Sequence, residues 1–408
     1  MRILIVTQYF WPESFRINDL CLGLKERGHE IVVLTGIPNY PKGKFYNGYN
    51  IFKKRVEDWN GIKIYRAILF PRRSGKGLSI ALNYLSFPFF ATFQMLFIKK
   101  KFDKIVVFQL SPVTSAIPAV FAKLIYKAPI YFWIQDLWPM SLVDGGGIKN
   151  KFVIAFFSKL TKVLYDQSYK ILVQSKGFTD YINKQGVNVD KICYFPNSAE
   201  SFYQILPIPN KYTNKFPEGF NLIFAGNIGE AQSFKTLIET AQIIKNTGIQ
   251  INWIILGDGR MKNEIQKKIE ILNLNDTFYF LGSFSANEMP LFFANADALI
   301  VSLKKSQIFS LTIPSKIQSY LACGKPIIGT LDGSGASIIE EALAGFTSPA
   351  ENSILLAEAI FKLLHSSLEE RKQFGMNGRK YFEQEFEREI LLDKLESILY
   401  GDETIYHD

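Results

Sequence analysis

Short runs of β-branched and aromatic residues recur along this chain, separated by longer stretches in which apolar residues return every three or four positions. One series comprises Arg2 to Val6, Glu30 to Thr35, Lys104 to Gln109, Ile130 to Ile134 and Lys170 to Gln174. A second comprises Asn221 to Gly226, Asn252 to Leu256, Thr277 to Leu281, Ala298 to Ser302 and Pro326 to Gly329. Strands that alternate with helices predict parallel sheets, and two such series predict two doubly wound α/β domains facing each other across a cleft. Residues 201–219, rich in Pro, Asn and Lys and poor in pattern, read as the linker. The expected division is therefore 1–200 and 201–385, with a C-terminal helix over 386–408 packing back on the first domain.

The sharpest local pattern runs from Pro314 to Gly329. Proline has no N–H to leave unsatisfied and suits a first helical turn, where Ser315 and Lys316 set a hydroxyl and a cation beside free amides. Ile317, Tyr320 and Leu321 form one buried stripe, Gly324 ends the helix, and the next strand follows at once. A second distinctive stretch, Leu78 to Ile98, is apolar over a bilayer-compatible length and is flanked by Arg72, Arg73 and Lys76 and by Lys99, Lys100 and Lys101. Ser79, Asn83, Ser86 and Gln94 draw a polar stripe along it, and Pro88 interrupts it. Spanning would put strands of one sheet on opposite sides of the bilayer, so the pattern predicts an interfacial helix with its lysines at anionic headgroups. Phe152 to Phe157, with lysines around it, offers a second contact.

Composition narrows the class. Apolar residues make up 48% and charged residues 21%, which excludes a disordered chain. Forty-seven Lys and Arg against 38 Asp and Glu leave a net charge of +9, so the partners are anionic: nucleotides, phospholipid surfaces or nucleic acid. Basic strands interleaved with aromatics are missing, which sets nucleic acid aside. Cys21, Cys193 and Cys323 are widely spaced within apolar runs and read as thiols of a reducing compartment; neither they nor the three histidines show metal-ligand spacing. The start, MRILIVTQYF, lacks the pattern of a signal peptide, so the expected location is the cytoplasm, at the inner face of the membrane.

In doubly wound sheets, ligands bind outside the carboxyl ends of the strands. Gly226-Asn227-Ile228-Gly229 lies between a strand and a helix, where glycines let backbone amides approach a diphosphate. Gly257 and Gly282 sit in the next two such turns. On the N-terminal side the turn after the first strand carries Trp11, Glu13 and Arg16, the second strand runs into Asn39 and Tyr40, and Asp136 stands in the IQDLWP turn.

The order of these motifs, from ILIVTQYFWPES through IQDLWP, YFPNSAE, FAGNIGEAQ and ILGDGR to PSKIQSYLACGKP, resembles the GT-B glycosyltransferases, specifically retaining family 4 and its bacterial O-antigen and capsule branch, which includes N-acetyl-L-fucosamine transferases. The resemblance implies transfer of a sugar from a nucleotide donor, UDP-linked by preference, without metal or other cofactor, and the interfacial helix adds the expectation of a polyprenyl diphosphate-linked saccharide as acceptor. It places the donor against Arg16, Gly226, Asn227, Gly229, Gly257, Gly282, Lys304, Thr312, Ser315 and Ser319. The acceptor falls beside Trp11, Glu13, Asn39 and Tyr40, with Asp136 and Lys316 in catalytic roles. The chain departs from the family where it has Asn227 and Gln232 in place of an Arg and a Lys on the diphosphate, and Leu311 and Ser319 in place of two glutamates. The phosphate charge is therefore assigned to Lys316 first and Lys304 second. The alternatives are a nucleotide-sugar 2-epimerase on the same fold and a catalytically inactive sugar-nucleotide binder.

Overall fold

A computed structural model describes residues 1–72, 77–144 and 147–401. Arg73 and Lys76 of the expected basic flank, and positions 402–408 of the expected last helix, lie outside the described residues. The chain forms two compact units: Met1–Pro196 joined by the chain from Leu391 onward, and Asn197–Ile390.

In the first unit, β1 (Arg2–Val6), β2 (Glu30–Gly36), β3 (Val56–Trp59), β4 (Ile62–Ala67), β5 (Lys104–Gln109), β6 (Ile130–Ile134), β7 (Lys170–Val173) and β8 (Ile192–Tyr194) make one sheet in the order β3-β4-β2-β1-β5-β6-β7-β8. Only the β3–β4 pair is antiparallel, with Val56 opposite Tyr65. Ile3, Leu4, Ile5 and Val6 of β1 are all fully buried, as a parallel strand covered on both faces requires. Helix α1 (Arg16–Glu26) covers one face with Ile17, Leu20, Cys21 and Leu24. The chain's last described helix, Arg388–Tyr400, adds Leu391, Leu392, Leu395, Ile398 and Leu399 to the same cluster. Charges pin it at its rim: Arg27 Nη1 lies 2.6 Å from Glu396 and 2.5 Å from Asp393, and His29 Nε2 lies 2.6 Å from the other Glu396 oxygen.

In the second unit, β9 (Phe220–Ala225), β10 (Ile251–Leu256), β11 (Phe278–Gly282), β12 (Ala298–Ser302), β13 (Ile327–Thr330) and β14 (Gly345–Ser348) form a sheet, parallel throughout, in the order β11-β10-β9-β12-β13-β14. Its chain order reverses direction between β9 and β12, as that of the first sheet does between β1 and β5, and such a reversal opens a crevice at the strand ends. Two expectations need correction here. Residues 201–219 are not a free linker: Tyr203, Tyr212 and Phe216 pack on the core of the second unit, with Tyr212 stacked 4.0 Å from Phe292. The helix expected to begin at Pro314 runs Ser315–Ala322, because Pro314 keeps an extended ψ of 129° and precedes the first turn. Gly324, at φ +61°, ends it.

Helix α2 (Gly77–Met95) carries the apolar stretch, with Pro88 inside it. Its polarity is reversed from that of an ordinary surface helix. Asn83 and Ser86 are buried, whereas Leu85, Phe89 and Phe93 are 61%, 58% and 52% exposed. Among the described residues no helix is long and apolar enough to cross a membrane.

Because the last helix contributes a whole row of leucines to the first unit, Leu395→Ala is expected to destabilise that unit by about 2–5 kcal/mol, the cost of a buried leucine cavity. Denaturant unfolding followed by tryptophan fluorescence would measure it; a shift below about 0.5 kcal/mol would mean that the helix is dispensable to the core.

Candidate functional site

In the second unit, the three glycine turns lie side by side at the ends of β9, β10 and β11. Gly226 N–H donates to Leu256 O at 2.9 Å, Gly257 N–H to Gly282 O at 2.8 Å, and Ile228 N–H to Asp258 O at 2.8 Å. The first turn has no room for side chains. Gly226 and Gly257 adopt φ near +143° and +142°, and a Cβ on Gly257 would stand 1.9 Å from the Gly226 carbonyl oxygen. The Ser315–Ala322 helix faces this turn, and Tyr320 secures it by accepting a hydrogen bond from Ala225 N–H at 3.1 Å.

Lys316 enters from the same helix. The residue as a whole is half-buried, but its Nζ is covered and has no hydrogen-bond partner. The ammonium sits 3.7 Å from the centroid of the Phe224 ring and 3.0 Å from where a Gly226 Cβ would be. Burial alone drives its pKa from 10.5 down to about 7. A long side chain held against a glycine turn, with its charge unanswered, is a cation poised for an anion.

The other donor-side candidates are differently placed. Lys304 pairs with Glu230 at 3.3 Å and lines a 270 Å³ cavity with Gly229, Ser233 and Glu351, so its charge is already met; Glu230 also holds Arg260 at 3.0 Å. Thr312 Oγ1 donates to Ile308 O at 2.7 Å, and buried Ser319 donates to Ser315 O at 3.3 Å, both along their own helices. Ser315 opens the helix beside Lys316, and Asn227 is exposed at the turn. Gln232, where the resemblance leads one to expect a lysine, leaves a buried Oε1 without a partner. Among the described residues no group of three His, Cys, Asp or Glu is placed to hold a metal ion.

In the first unit, the turn after β1 is braced from within. Glu13 is buried and its Oε1 accepts the N–H groups of Asn39 and Tyr40 at 2.8 and 2.6 Å, tying the β1 turn to the β2 turn. Burial raises its pKa to about 7 against those hydrogen bonds, and Oε2 has no partner. Trp11 stacks on Trp59 at 5.5 Å, Arg16 opens α1, and Tyr40 is 42% exposed against Tyr9 and Phe15. Asp136, at the end of β6, accepts hydrogen bonds from the hydroxyls of Ser111 and Ser141, one on each oxygen. Burial pushes its carboxyl above the ordinary range despite those hydroxyls and the Leu137 N–H. Ser111 in turn accepts Trp138 Nε1–H at 3.0 Å.

Sequence reasoning passed over two arginines. Arg66, in β4, is fully buried, ion-paired with Glu57, and donates to the Trp11 carbonyl at 2.7 Å, so it supports the β1 turn from beneath. A second charged residue, after Lys63, within the short IKIYRA strand was its only signal. Arg72, counted in the sequence only as part of a basic flank, lies over the Tyr84 and Tyr9 rings, with its guanidinium carbon 5.0 and 5.6 Å from their centroids.

Comparison with known proteins agrees with this layout. The family described as Glycosyl transferase 4-like domain matches residues 14–198, and that described as Glycosyl transferases group 1 matches residues 210–381. WcaI of Escherichia coli K12, assigned to colanic acid biosynthesis as a glycosyl transferase, is 23% identical over 347 residues, 79% of this chain and 82% of its own. Of the solved structures, Anabaena HepE in complex with UDP has a TM-score of 0.72 at 14% identity, covering 98% of this chain and 100% of that one. WaaG, a glycosyltransferase involved in lipopolysaccharide biosynthesis, has a TM-score of 0.68 at 13% identity, with coverage of 98% and 100%. These likenesses show the fold: two Rossmann-like domains of the GT-B kind.

The covered ammonium makes stability depend on pH. The unfolded chain keeps the Lys316 proton up to about pH 10.5 while the folded chain releases it above about 7, so this group raises stability as pH climbs through that window. Lys316→Met should stabilise the second unit at pH 7 by a few kcal/mol and flatten the rise. Thermal melts of both proteins between pH 7 and 9.5 would show it, and parallel pH profiles would contradict it.

Proposed function

We infer the function from the premise that this chain belongs to the glycosyltransferases, with a 4-like N-terminal half and a group 1 C-terminal half. The reading is a retaining transfer of a sugar from a nucleoside diphosphate to a lipid-linked saccharide, in the assembly of a bacterial surface polysaccharide. N-acetyl-L-fucosamine or a related amino sugar is the first donor sugar to test. Support for a nucleotide donor comes from HepE, solved with UDP and with UDP-glucose, and support for the pathway from WcaI and WaaG.

The observation that carries the reading is Lys316 Nζ, covered and unpartnered against the Gly226 turn. An arriving diphosphate would draw a proton onto this amine and receive the charge that Asn227 and Gln232 no longer provide. The lysine and the turn's N–H groups would then stabilise the leaving diphosphate, without need of a metal, through charge set in place before the reaction. Attack on the same face as departure, with the donor phosphate drawing the acceptor proton, keeps the configuration. Asp136, held by two serines, would orient the acceptor hydroxyl. Glu13 and Asn39 would shape the acceptor side, with Trp11 and Tyr40 offering ring faces to sugars.

Helices α2, α3 (Ile117–Tyr126) and α4 (Lys151–Gln167) pack side by side in that order, and each leaves large apolar side chains in solvent, among them Leu85, Leu124 and Phe152. This face, with Lys99 and Lys101, would dock on an anionic bilayer at the cytoplasmic side. Lys100 contributes less than its position suggested, because it is ion-paired with Glu30.

Thermal shifts across UDP, GDP and their sugars test the donor reading. The expected outcome is a shift with one nucleoside diphosphate that Lys316→Gln weakens by about 1.5–3 kcal/mol of binding. Asp136→Asn should leave that shift intact and slow transfer by about 10²-fold. Absence of any nucleotide-dependent shift would overturn the function. For the membrane reading, replacing Lys99 and Lys101 with Gln should cost about 2 kcal/mol of binding to phosphatidylserine vesicles at low salt. Raising the ionic strength should reproduce the loss, and salt-independent binding would count against it.

A further inference from the structure

We propose that Arg72 is the anchor for the phosphate of an amphiphilic acceptor, a diphosphate carrying a hydrocarbon chain that lies along the outward face of α2. This deepens the lipid-linked acceptor reading and rests on it. The inward stripe of α2 is spent on holding the segment that carries Arg72: Asn83 Nδ2 donates to Phe70 O at 2.7 Å, Phe70 N–H donates to Ser86 Oγ at 3.0 Å, and Ser79 Oγ donates to Arg72 O at 2.9 Å. The backbone at Phe70 and at the arginine's own carbonyl is thereby fixed to the helix.

The guanidinium itself is oriented but not neutralised. Nε lies 3.3 Å from Asn83 Oδ1, Nη2 lies 3.5 Å from the Tyr84 hydroxyl, and the Tyr84 and Tyr9 rings support its plane. Among the described residues no carboxylate stands within ion-pair distance of it. Asp136 influences Tyr84 electrostatically, yet its two oxygens are taken by Ser111 and Ser141. Arg66, fully buried in the same unit, is treated otherwise: it is paired with Glu57. Asn83 also accepts from Gln8 Nε2 at 2.9 Å, and Gln8 Oε1 is buried without a partner at the end of β1. A planar cation stacked on tyrosines and left without a counter-ion suits bidentate contact with a phosphate. The unpaired Gln8 oxygen suits a hydroxyl of the sugar attached to it.

What distinguishes a lipid phosphate from a free one is the rest of α2. The helix that fixes Arg72 on its inner side shows Leu82, Leu85 and Phe89 on its outer side, all more than two-fifths exposed. A ligand anionic at one end and apolar along its length meets both faces of one helix; inorganic diphosphate meets only the first.

The test uses the full chain with its donor site filled by saturating nucleoside diphosphate, and calorimetry with farnesyl diphosphate, farnesol and inorganic pyrophosphate as probes. Wild-type protein is expected to bind farnesyl diphosphate at least about tenfold more tightly than either of the others. Arg72→Gln should weaken farnesyl diphosphate about ten- to hundredfold, the range for hydrogen bonds to a charged group, with Arg72→Lys between. Leu85→Ser with Phe89→Ser, both exposed positions, should weaken farnesyl diphosphate and leave pyrophosphate unchanged, which keeps the test open should Arg72→Gln not fold. Equal affinity for pyrophosphate and farnesyl diphosphate would overturn the lipid assignment, and unchanged farnesyl diphosphate binding by folded Arg72→Gln would overturn the arginine's role. Nucleotide binding, read separately by thermal shift, tells failure of the glycosyltransferase reading apart from failure of this one.

Discussion

Each sheet is covered on both faces, and that constraint decides where chemistry is found. A parallel strand in this position can carry almost nothing polar along its length, as the wholly buried Ile3 to Val6 and Ile254 to Leu256 show. Polar side chains are displaced to the carboxyl ends, and there the usual rule of satisfied hydrogen bonds lapses. Gln8 after β1, Thr35 near the end of β2, Gln109 at the end of β5 and Gln174 after β7 each leave a buried oxygen unpaired; in the second unit Gln232 leaves a buried oxygen and Lys316 a buried nitrogen unpaired. Each such atom costs about 1–3 kcal/mol of lost hydration. Their placement at the carboxyl ends of strands in two separate sheets, where ligands bind doubly wound folds, fits the binding surfaces proposed above.

Lys316 is the extreme case, because a charge costs more to bury than an amide. The fold tolerates it through proton loss and through the Phe224 ring, which supplies a weak attraction when the proton returns. The same helix is tied to β9 by Tyr320, whose hydroxyl accepts the Ala225 amide, so the helix that carries the lysine is held against the turn. Stability is thereby given up at the place where the proposed diphosphate would restore it.

The strands were legible because continuous apolar runs have few other readings, and the glycine turns because only glycine fits there. What escaped was tertiary. β3 was hidden since VEDW lies at a sheet edge with alternate residues in solvent, and its apolar residues, Val56 and Trp59, do not alternate with its polar pair. The supposed linker is polar in composition, but Tyr212 finds Phe292 eighty positions further along the chain. Lys304 and Lys100 looked available because their partners, Glu230 and Glu30, are 74 and 70 residues distant. Asp136 was visible as a strand-end carboxylate; the two serines that occupy it were not. Local pattern reveals which residue types stand at a site, whereas counter-ions are assigned by the fold.

Helix α2 shows how a composition can be read correctly and its orientation still be open. Its polar stripe would lie outward on an ordinary surface helix and inward only if the protein interior is the more polar of its two surroundings. Here the interior side is a strand-end surface of glutamine, asparagine, tyrosine and arginine, and the outer side is Leu, Phe and Phe. Exposed apolar side chains gain nothing in water, and the α2 sequence includes no lysine or glutamate that would have blunted the face. A helix of this kind suits a boundary between a polar site and an apolar medium, so the membrane docking and the amphiphilic acceptor proposed above would be two consequences of one orientation.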